Sequence, residues 1–197
     1  MSDAWDLPSD PLDLFRRWLQ QAETTLELPN AMALATSTPE GRPSNRFVLL
    51  KSVDGRGLVF FTNYESRKAG ELTQNPWAAA AIFWPDPRRQ VRVEGPVEKI
   101  TAAESDSYFN SRDRLSQIGA TISPQSRVIR TRDELDQEVE AMAIRMEGYP
   151  IDRPANWGGY RIVPESIEFW MGRDNRLHDR FRYRRENDGW TVERLAP

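Results

Sequence analysis

The sequence predicts a mainly β protein with α-helices, in which helices pack around an antiparallel barrel or sheet. Many short strand-like segments lie on both sides of a more helical middle region. Turns rich in Gly, Pro, Asn and Asp separate these segments, as in antiparallel meanders. The 197 residues contain no obvious interdomain linker, so one domain spanning 1–197 is predicted. Its polar residues 1–8 are predicted to be mobile.

The first element predicted is a helix. Ser9-Asp10-Pro11 is typical of a helix start, and apolar residues at helical spacing follow it. Three strands are predicted next, over residues 31–37, 45–53 and 57–62. A short helix over 66–74 and a further strand over 77–84 follow them. Asp54-Gly55 is a hairpin signal between two of these strands. Prolines flank the last segment, which is short, and this favours a strand over a helix there.

The second half begins with an alternating strand from Gln90 to Val97, in which Gly95-Pro96 indicates a bulge or a break. Two capping-box patterns, Thr101–Glu104 and Thr131–Glu134, predict helices near 102–112 and 132–147. The remaining predictions are strands over 159–163, 166–170, 181–185 and 190–193, with Asn187-Asp188-Gly189 as the last turn.

Composition excludes several classes of function. The chain has no cysteine and one histidine, which excludes disulfides and thiolate chemistry and predicts that there is no metal site. No apolar run reaches membrane-span length and no signal peptide is evident, so a cytoplasmic location is predicted. The net charge of −3 disfavours nucleic-acid binding. Neither a P-loop nor a Gly-rich dinucleotide loop is present.

The single histidine lies in Arg176-Leu-His-Asp-Arg180. If this segment is a strand, Arg176, His178 and Arg180 share one face, because side chains alternate along a strand. Two guanidinium groups around an imidazole suit an anionic, planar ligand. A solvated basic edge strand explains the same pattern, and the spacing alone leaves both interpretations open.

Two clusters near the first strands have the chemistry of anion sites. Arg46 and Lys51 are five residues apart, so a regular strand directs them to opposite faces unless a bulge intervenes. They are also compatible with an ordinary barrel strand that is charged at each end. Ser66-Arg67-Lys68 follows Thr62 where a strand leads into a helix, and free backbone N–H groups there favour a phosphate.

A third cluster comprises Tyr108, Arg112 and Ser116, which share one helix face if the helix continues that far. They would suit a phosphate monoester, although an ordinary polar helix face is the more common meaning of this spacing. Weaker indications of ligand binding come from Gln90, Trp170 and the loop Ser123–Arg127. With several phosphate-type clusters and no metal set, the chain is predicted to bind a phosphorylated cofactor that carries the chemistry.

In their order along the chain, these segments resemble the pyridoxamine 5′-phosphate oxidase family. The resemblance covers nearly the whole chain from about Leu7. The stretches that carry it are Arg46-Phe-Val-Leu-Leu-Lys51, Phe60-Phe-Thr-Asn63, Ser66-Arg-Lys68, Arg89-Gln-Val91, Tyr108-Phe-Asn-Ser-Arg112, Ser116-Gln-Ile-Gly-Ala120, Pro124-Gln-Ser126, Trp157-Gly-Gly-Tyr160, Ile167-Glu-Phe-Trp170, and Arg176-Leu-His-Asp-Arg180 through Glu193-Arg-Leu-Ala-Pro197.

The resemblance implies an FMN-binding split β-barrel, antiparallel and Greek-key-like, that works as a homodimer with flavin at the subunit interface. The FMN contacts implied by position are Arg46, Lys51, Phe61, Thr62, Arg67, Lys68, Gln90, Gln125, Ser126, Trp170 and Arg180. The implied contacts of the substrate phosphate are Lys51, Tyr108, Arg112 and Ser116. Arg176 and His178 would lie over the pyridine ring as the catalytic pair. Their implied role is to position the substrate and to supply electrostatic stabilisation, and a general-base role for His178 is left open.

The implied reaction oxidises pyridoxamine or pyridoxine 5′-phosphate to pyridoxal 5′-phosphate, with oxygen reduced to hydrogen peroxide. Two alternatives remain open: a related flavin oxidase of the phenazine-pathway type, and a non-catalytic protein that binds FMN or pyridoxal phosphate. The chain departs from the family pattern in two places. It has no basic, tyrosine-containing segment before Leu7, and Thr121 stands where an aromatic residue is common. Either departure would loosen substrate capture.

Overall fold

The computed structural model describes residues 5–187 and 189–197, and within them nine strands form one antiparallel sheet. The strands are β1 Ala31–Ser37, β2 Pro43–Asp54, β3 Gly57–Asn63, β4 Trp77–Trp84, β5 Arg89–Lys99, β6 Trp157–Ile162, β7 Ser166–Met171, β8 Asp179–Glu186 and β9 Gly189–Arg194. Every strand predicted from the alternation pattern is present. Asp188, in the last predicted turn, lies outside the described residues.

Six of the strands close into a barrel. Their order is β4-β1-β2-β3-β6-β5, and pairing between β4 and β5 completes the ring. Strands β7, β8 and β9 extend the sheet outward from β5. This arrangement confirms the predicted antiparallel barrel.

Strand β5 changes neighbours rather than breaking at Gly95-Pro96. Its first part pairs with β7 through Glu94, and its last part pairs with β6 from Val97 onward. A Cβ at Gly95 would lie 2.0 Å from the carbonyl oxygen of Val163, so only glycine fits where the strand passes between its two partners.

Five helices surround the barrel in the described part of the chain: α1 Pro11–Glu23, α2 Arg67–Gln74, α3 Ala102–Ser111, α4 Arg114–Ile122 and α5 Arg132–Arg145. The starts predicted from sequence are confirmed. The Asp10 carboxylate accepts from the N–H of Leu12, and Thr101 and Glu104 form a complete capping box. No helix in this part of the chain is both long and apolar enough to cross a membrane.

The condition for one helix face shared by Tyr108, Arg112 and Ser116, a helix that continues to Ser116, is not met. Helix α3 ends at Ser111, and Arg112 has extended backbone angles (φ −77°, ψ 151°). The Asp113 side chain then accepts from the N–H of Ser116 and starts α4. An N-cap aspartate therefore breaks the helix between the first and third residues of the cluster.

The condition that Arg176–Arg180 is a strand is met only from Asp179 onward. Strand β8 begins at Asp179, after a short turn that spans Asp174–Arg176. Asn175 and Arg176 have positive φ angles of 57° and 61°, which no strand accommodates. Strand alternation therefore does not place Arg176 and His178 beside Arg180.

The buried apolar side chains of the described residues form two cores. The larger core fills the barrel with fully buried residues such as Met32, Phe60 and Ile162, and α1 covers one end of it with Phe15. The smaller core lies among the helices that follow β5, around Phe109, Ile118, Met142, Ile151 and Trp157.

The N-terminal segment reaches this larger core. The Trp5 ring centroid lies 5.5 Å from that of Trp18 and 4.8 Å from that of Phe181. The Tyr183 hydroxyl donates to the carbonyl of Pro8 over 2.9 Å. Residues 1–4 lie outside the described residues, and the mobility predicted for 1–8 stays a prediction.

Candidate active site

A cavity of about 890 Å³ lies between β2, β3 and helices α2, α3 and α4. This volume is within the range of cofactor and substrate sites, roughly 300–1,000 Å³. Eleven residues singled out from the sequence line it: Arg46, Lys51, Phe61, Thr62, Arg67, Lys68, Tyr108, Arg112, Ser116, Gln125 and Ser126. Although Arg112 follows the end of a helix, all three members of its cluster still reach the cavity.

Both faces of β2 contribute to this cavity, which is lined by the consecutive residues Asn45, Arg46 and Phe47 as well as by Lys51. The pairing of β2 with β3 shifts register between Leu50 and Ser52. Lys51 lies in this bulge, and two residues five apart reach the same space because the cavity extends to both faces of the strand. The sequence left a bulge open as an alternative to opposite faces, and the structure contains it.

One end of the cavity, formed by Arg46, Arg67 and Lys68 and called here the phosphate end, is rich in cations. Lys68 is buried, and its Nζ donates to Thr62 Oγ1 and Gln125 Oε1, each over 2.9 Å. Burial, followed by repulsion from Arg46, lowers the pKa of Lys68 from 10.5 to about 8. No carboxylate pairs with Lys68 among the described residues, so a bound anion would supply the missing counter-charge.

Glu71 lies behind the phosphate end and was missed by the sequence reasoning. Its carboxylate accepts from Arg67 Nε over 2.9 Å and from Ser44 Oγ over 2.5 Å, and it lies 3.4 Å from Arg46 Nη2. Thr36 also donates to it. These hydrogen bonds outweigh burial and lower the pKa of Glu71 to about 2. The one available sequence signal was its position four residues after Arg67.

The opposite end of the cavity carries aromatic rings. Phe61 stacks on Tyr108 with a centroid distance of 4.0 Å, and Trp157 stacks on Phe61 at 5.4 Å. Lys51 Nζ lies 5.7 Å from the Tyr108 ring centroid. The guanidinium of Arg112 lies 4.8 Å from the Trp157 ring centroid. Arg112 Nη1 is buried with no hydrogen-bond partner among the described residues, so this donor is available to a ligand in the cavity.

The other predicted site residues lie elsewhere on the chain. Gln90, Trp170 and Arg180 are neighbours across β5, β7 and β8 and are not part of the cavity lining. The His178 ring lies 4.6 Å from the Trp170 ring, and its Nδ1 accepts from the Arg173 N–H over 3.1 Å. Gln90, Trp170, His178 and Arg180 form a second group away from the cavity, and the exposed Arg176, two residues before His178 in the chain, is counted with them.

Arg180 is fixed within the second group. Its Nε donates to Glu168 Oε1 over 2.8 Å, and its Nη1 donates to the carbonyl of Ala196 over 2.9 Å. Hydrogen bonding to Glu168 raises the pKa of Arg180. Glu168 is itself buried and also pairs with Arg92 over 3.3 Å.

The cavity and the second group adjoin one face of the sheet, called here the outer face. A row of cross-strand neighbours on this face runs through Phe47, Ala33, Ala81, Arg92, Glu168, Arg182 and Glu193. Five strand spacings separate β2 from β8, roughly 24 Å along the sheet. One chain therefore presents the cavity and the second group at separate places.

Large apolar side chains are exposed on the outer face. Phe47 is 77% exposed and Phe83 is 56% exposed, and both are accompanied by Leu49 and Trp77. A cluster of exposed large apolar residues on a sheet is typical of a protein interface. Within the described residues no group of three His, Cys, Asp or Glu side chains has the arrangement of a metal site.

The closed antiparallel barrel and the cation-rich cavity define a class: a split-barrel protein whose cavity has the charge to suit anionic ligands. The chain belongs to the pyridoxamine 5′-phosphate oxidase family. Residues 19–145 match the family described as pyridoxamine 5′-phosphate oxidase. Residues 157–197 match the pyridoxine 5′-phosphate oxidase C-terminal dimerisation region, which supports homodimer formation.

Curated relatives agree over the full length. A pyridoxine/pyridoxamine 5′-phosphate oxidase of Gluconobacter oxydans is 51% identical over 193 residues, which cover 98% of this chain and 96% of the relative. A protein of the same name from Pseudomonas entomophila is 52% identical, with 96% of this chain and 90% of the relative covered.

Solved structures show the same fold. PhzG of Burkholderia lata, in complex with tetrahydrophenazine-1-carboxylic acid, superimposes with a TM-score of 0.93 at 34% identity and covers 98% of this chain and 95% of its own. A pyridoxamine 5′-phosphate oxidase-related, FMN-binding protein of Nostoc punctiforme has a TM-score of 0.76 at 20% identity, with 94% and 96% covered. The second likeness shows the fold alone.

Proposed function

We propose that this chain is an FMN-dependent oxidase that converts pyridoxamine 5′-phosphate and pyridoxine 5′-phosphate to pyridoxal 5′-phosphate. The observation that carries the proposal is the presence of two separate phosphate-type clusters in one cavity. Arg46, Arg67 and Lys68 form one of them, and the group around Arg112 forms the other. A reaction between a phosphorylated cofactor and a phosphorylated substrate requires two such anchors.

The phosphate end fits the monoester of FMN. Lys68 is a buried cation without a carboxylate partner in the described chain, and Thr62 and Gln125 lie at hydrogen-bond distance from it. Arg46 and Arg67 are held by Glu71, so their guanidinium groups are ordered before a ligand arrives. Two guanidiniums and one ammonium, offset by one carboxylate, leave a net charge near +2, which matches a phosphate dianion.

The second group completes the site in a homodimer. A two-fold axis through the outer face would bring Gln90, Trp170 and Arg180 of the partner subunit to the cavity, with Arg176 and His178 beside them. The exposed Phe47 and Phe83 would be buried in the same contact. Because a two-fold interface pairs each surface with its copy, two equivalent sites would form, each with FMN at the interface.

A bound FMN would supply the redox chemistry, as hydride acceptor from the exocyclic carbon of the substrate, with oxygen as the final electron acceptor and hydrogen peroxide as product; with the amine substrate, water then hydrolyses the imine and ammonia leaves. The protein holds the substrate for this step. Lys51, Tyr108, Arg112 and Ser116 anchor the substrate phosphate far from the reacting carbon, and Arg176 lies over the pyridine ring.

The geometry supports a positioning role for His178 rather than a general-base role. Because Nδ1 accepts from the backbone N–H of Arg173, the ring proton of the neutral imidazole lies on Nε2. Nε2 is then a hydrogen-bond donor toward the substrate ring. A base would have to release this proton first.

The experiment is a flavin and turnover measurement on the purified protein. We expect a yellow protein whose flavin is reduced anaerobically by pyridoxine 5′-phosphate and which forms peroxide in air. A colourless protein that takes up no added FMN would refute the cofactor assignment. A flavin that stays oxidised with either phosphorylated substrate would refute the oxidase assignment and leave the fold untouched.

A second candidate is a flavin oxidase that acts on an unphosphorylated polycyclic ring. The likeness to PhzG of Burkholderia lata, at a TM-score of 0.93, supports this alternative. The unpartnered Arg112 Nη1 supports the phosphorylated substrate instead. Assay of tetrahydrophenazine-1-carboxylic acid beside pyridoxine 5′-phosphate separates the two. A protein that binds FMN and oxidises neither compound would be a binding protein. The predicted cytoplasmic location does not affect the outcome of this assay.

A further inference from the structure

Trp157 is a buried residue whose ring lies beside the groups proposed to bind the substrate phosphate. Its side chain is 6% exposed at the start of β6. The ring is nearly parallel to those of Phe61 and Tyr108, with interplanar angles of 16° and 10°. The guanidinium carbon of Arg112 lies 4.8 Å from its centroid. Trp157 therefore links the rings at the aromatic end of the cavity to the arginine.

Arg112 needs such support because it lies between two open spaces. It lines the main cavity of about 890 Å³, and it also lines a smaller cavity of about 270 Å³ behind it. Trp157 lines both cavities as well. Arg112 Nη1 has no hydrogen-bond partner in the described chain, so no polar contact of that atom fixes the side chain. Without the tryptophan ring, the guanidinium has room to turn into the smaller cavity.

We propose that Trp157 is a positioning residue for the substrate phosphate: its ring holds the Arg112 guanidinium at the boundary of the main cavity by cation–π stacking. This inference rests on the proposed function of that cavity. Stacking leaves the N–H groups in the guanidinium plane free, so Nη1 remains available to the phosphate. The Trp157 ring also prevents the Arg112 side chain from turning into the smaller cavity.

A purely structural role for Trp157 is the competing explanation. Its ring also packs edge-on against Phe109, with a centroid distance of 5.3 Å, within the core among the helices. Loss of that packing would weaken the fold and every ligand alike. The positioning role instead predicts a selective loss of phosphate affinity that depends on Arg112.

The test compares Trp157→Phe and Trp157→Leu with Trp190→Leu. Trp190 is a matched control because its ring also stacks with an arginine: the guanidinium carbon of Arg185 lies 5.1 Å from its centroid. Trp190 does not line either cavity. Binding of pyridoxal 5′-phosphate to the FMN-loaded protein is measured by titration, together with FMN affinity and the kcat and KM for pyridoxine 5′-phosphate.

We expect Trp157→Leu to weaken pyridoxal 5′-phosphate binding and to raise KM by about tenfold, since cation–π contacts of this kind are worth roughly 2- to 30-fold in affinity. Trp157→Phe should recover part of the loss, because a smaller ring still stacks. FMN affinity should change less than threefold, kcat should change less than KM, and Trp190→Leu should leave all four quantities unchanged.

A double-mutant cycle with Arg112→Ala decides whether the effect passes through the arginine. In the Arg112→Ala background, Trp157→Phe and Trp157→Leu should cause no further loss of ligand affinity. Equal additional losses in that background would overturn the proposal, as would a parallel loss of FMN. If Trp157→Leu does not fold, the Trp157→Phe cycle gives the same answer. The titration needs no turnover, so a wild-type protein that binds the ligand without oxidising it would refute the oxidase function and still test Trp157.

Discussion

Replacing Lys68 by methionine is expected to stabilise the flavin-free protein and to remove tight FMN binding. Methionine keeps the length of the side chain and removes its charge. Because burial lowers the pKa of Lys68 from 10.5 to about 8, the folded state holds the charged ammonium less favourably than the unfolded state does. At about 1.4 kcal/mol per pKa unit, this difference costs the folded protein about 3 kcal/mol at neutral pH.

The hydrogen bonds of Nζ reduce the gain. Methionine cannot donate to Thr62 and Gln125, but these two side chains also bond to each other over 2.8 Å. We subtract about 1 kcal/mol for the lost bonds. A net stabilisation of about 2 kcal/mol would raise Tm by about 4–8 °C for a chain of this size.

The pH dependence follows from the direction of the shift. Below pH 8 Lys68 is protonated in both states and the full destabilisation is present. Between pH 8 and 10.5 the folded state releases the proton while the unfolded state keeps it, so the wild type gains stability as pH rises. The advantage of Lys68→Met should therefore shrink over that interval.

The assay is thermal and urea unfolding of flavin-free proteins at several pH values, with FMN titration beside it. Lys99→Met is the control, because Lys99 is exposed and lies outside the cavity. A Lys68→Met protein that is less stable than wild type at pH 7 would refute the desolvation argument. Unchanged FMN affinity would refute the place of Lys68 in the phosphate end.

Three further outcomes are expected. FMN affinity of the wild type should fall by up to tenfold per pH unit above about pH 8, because the phosphate favours protonated Lys68; a flat profile from pH 7 to 10 would contradict this. Phe47→Asp should raise the dimer dissociation constant at least 100-fold by sedimentation, since an unpaired buried carboxylate costs roughly 3 kcal/mol or more, while Val128→Asp, at a fully exposed position, should not. Arg176→Ala should lower kcat/KM by about 10- to 100-fold, the worth of a charged hydrogen bond, with FMN still bound; loss of FMN with substrate affinity intact would show that its role is reversed.

Local interactions made much of the fold predictable from the sequence. The helix starts at Asp10, Thr101 and Thr131 depend on side chains within three residues of the cap. The strands are bounded by turn residues and by prolines at positions 76 and 85. Such signals lie within one short window of sequence, and the structure confirms them.

The two conditional arguments from periodicity failed where one residue interrupts the regular backbone. Asp113 caps a new helix and ends the face that Tyr108 would have shared with Ser116. The positive φ of Arg176 belongs to a turn, and strand β8 begins only after it, at Asp179. An argument from periodicity assumes a regular backbone. A cap inside a helical stretch and a residue with positive φ both interrupt the backbone without changing the spacing of side-chain types, so the pattern does not reveal them.

Residues whose roles depend on distant partners could not be found from the sequence. Glu71 accepts hydrogen bonds from side chains 35 and 27 residues away, on β1 and β2. Trp157 reaches Arg112 only because β6 pairs with β3 beside α3. The separation of the second group from the cavity is likewise a property of the sheet order, and only the assembled barrel displays it.

Strand β5 has a further consequence for how the chain folds. It pairs with β4, β6 and β7, so its amides belong to three ladders at once. Its neighbours come from segments as far apart as residues 77–84 and 157–171, and the ring cannot close before both have docked on it. Folding therefore waits on contacts distant in sequence, which are slow to form. In the native protein, the same strand should hold the amide protons that exchange last with solvent.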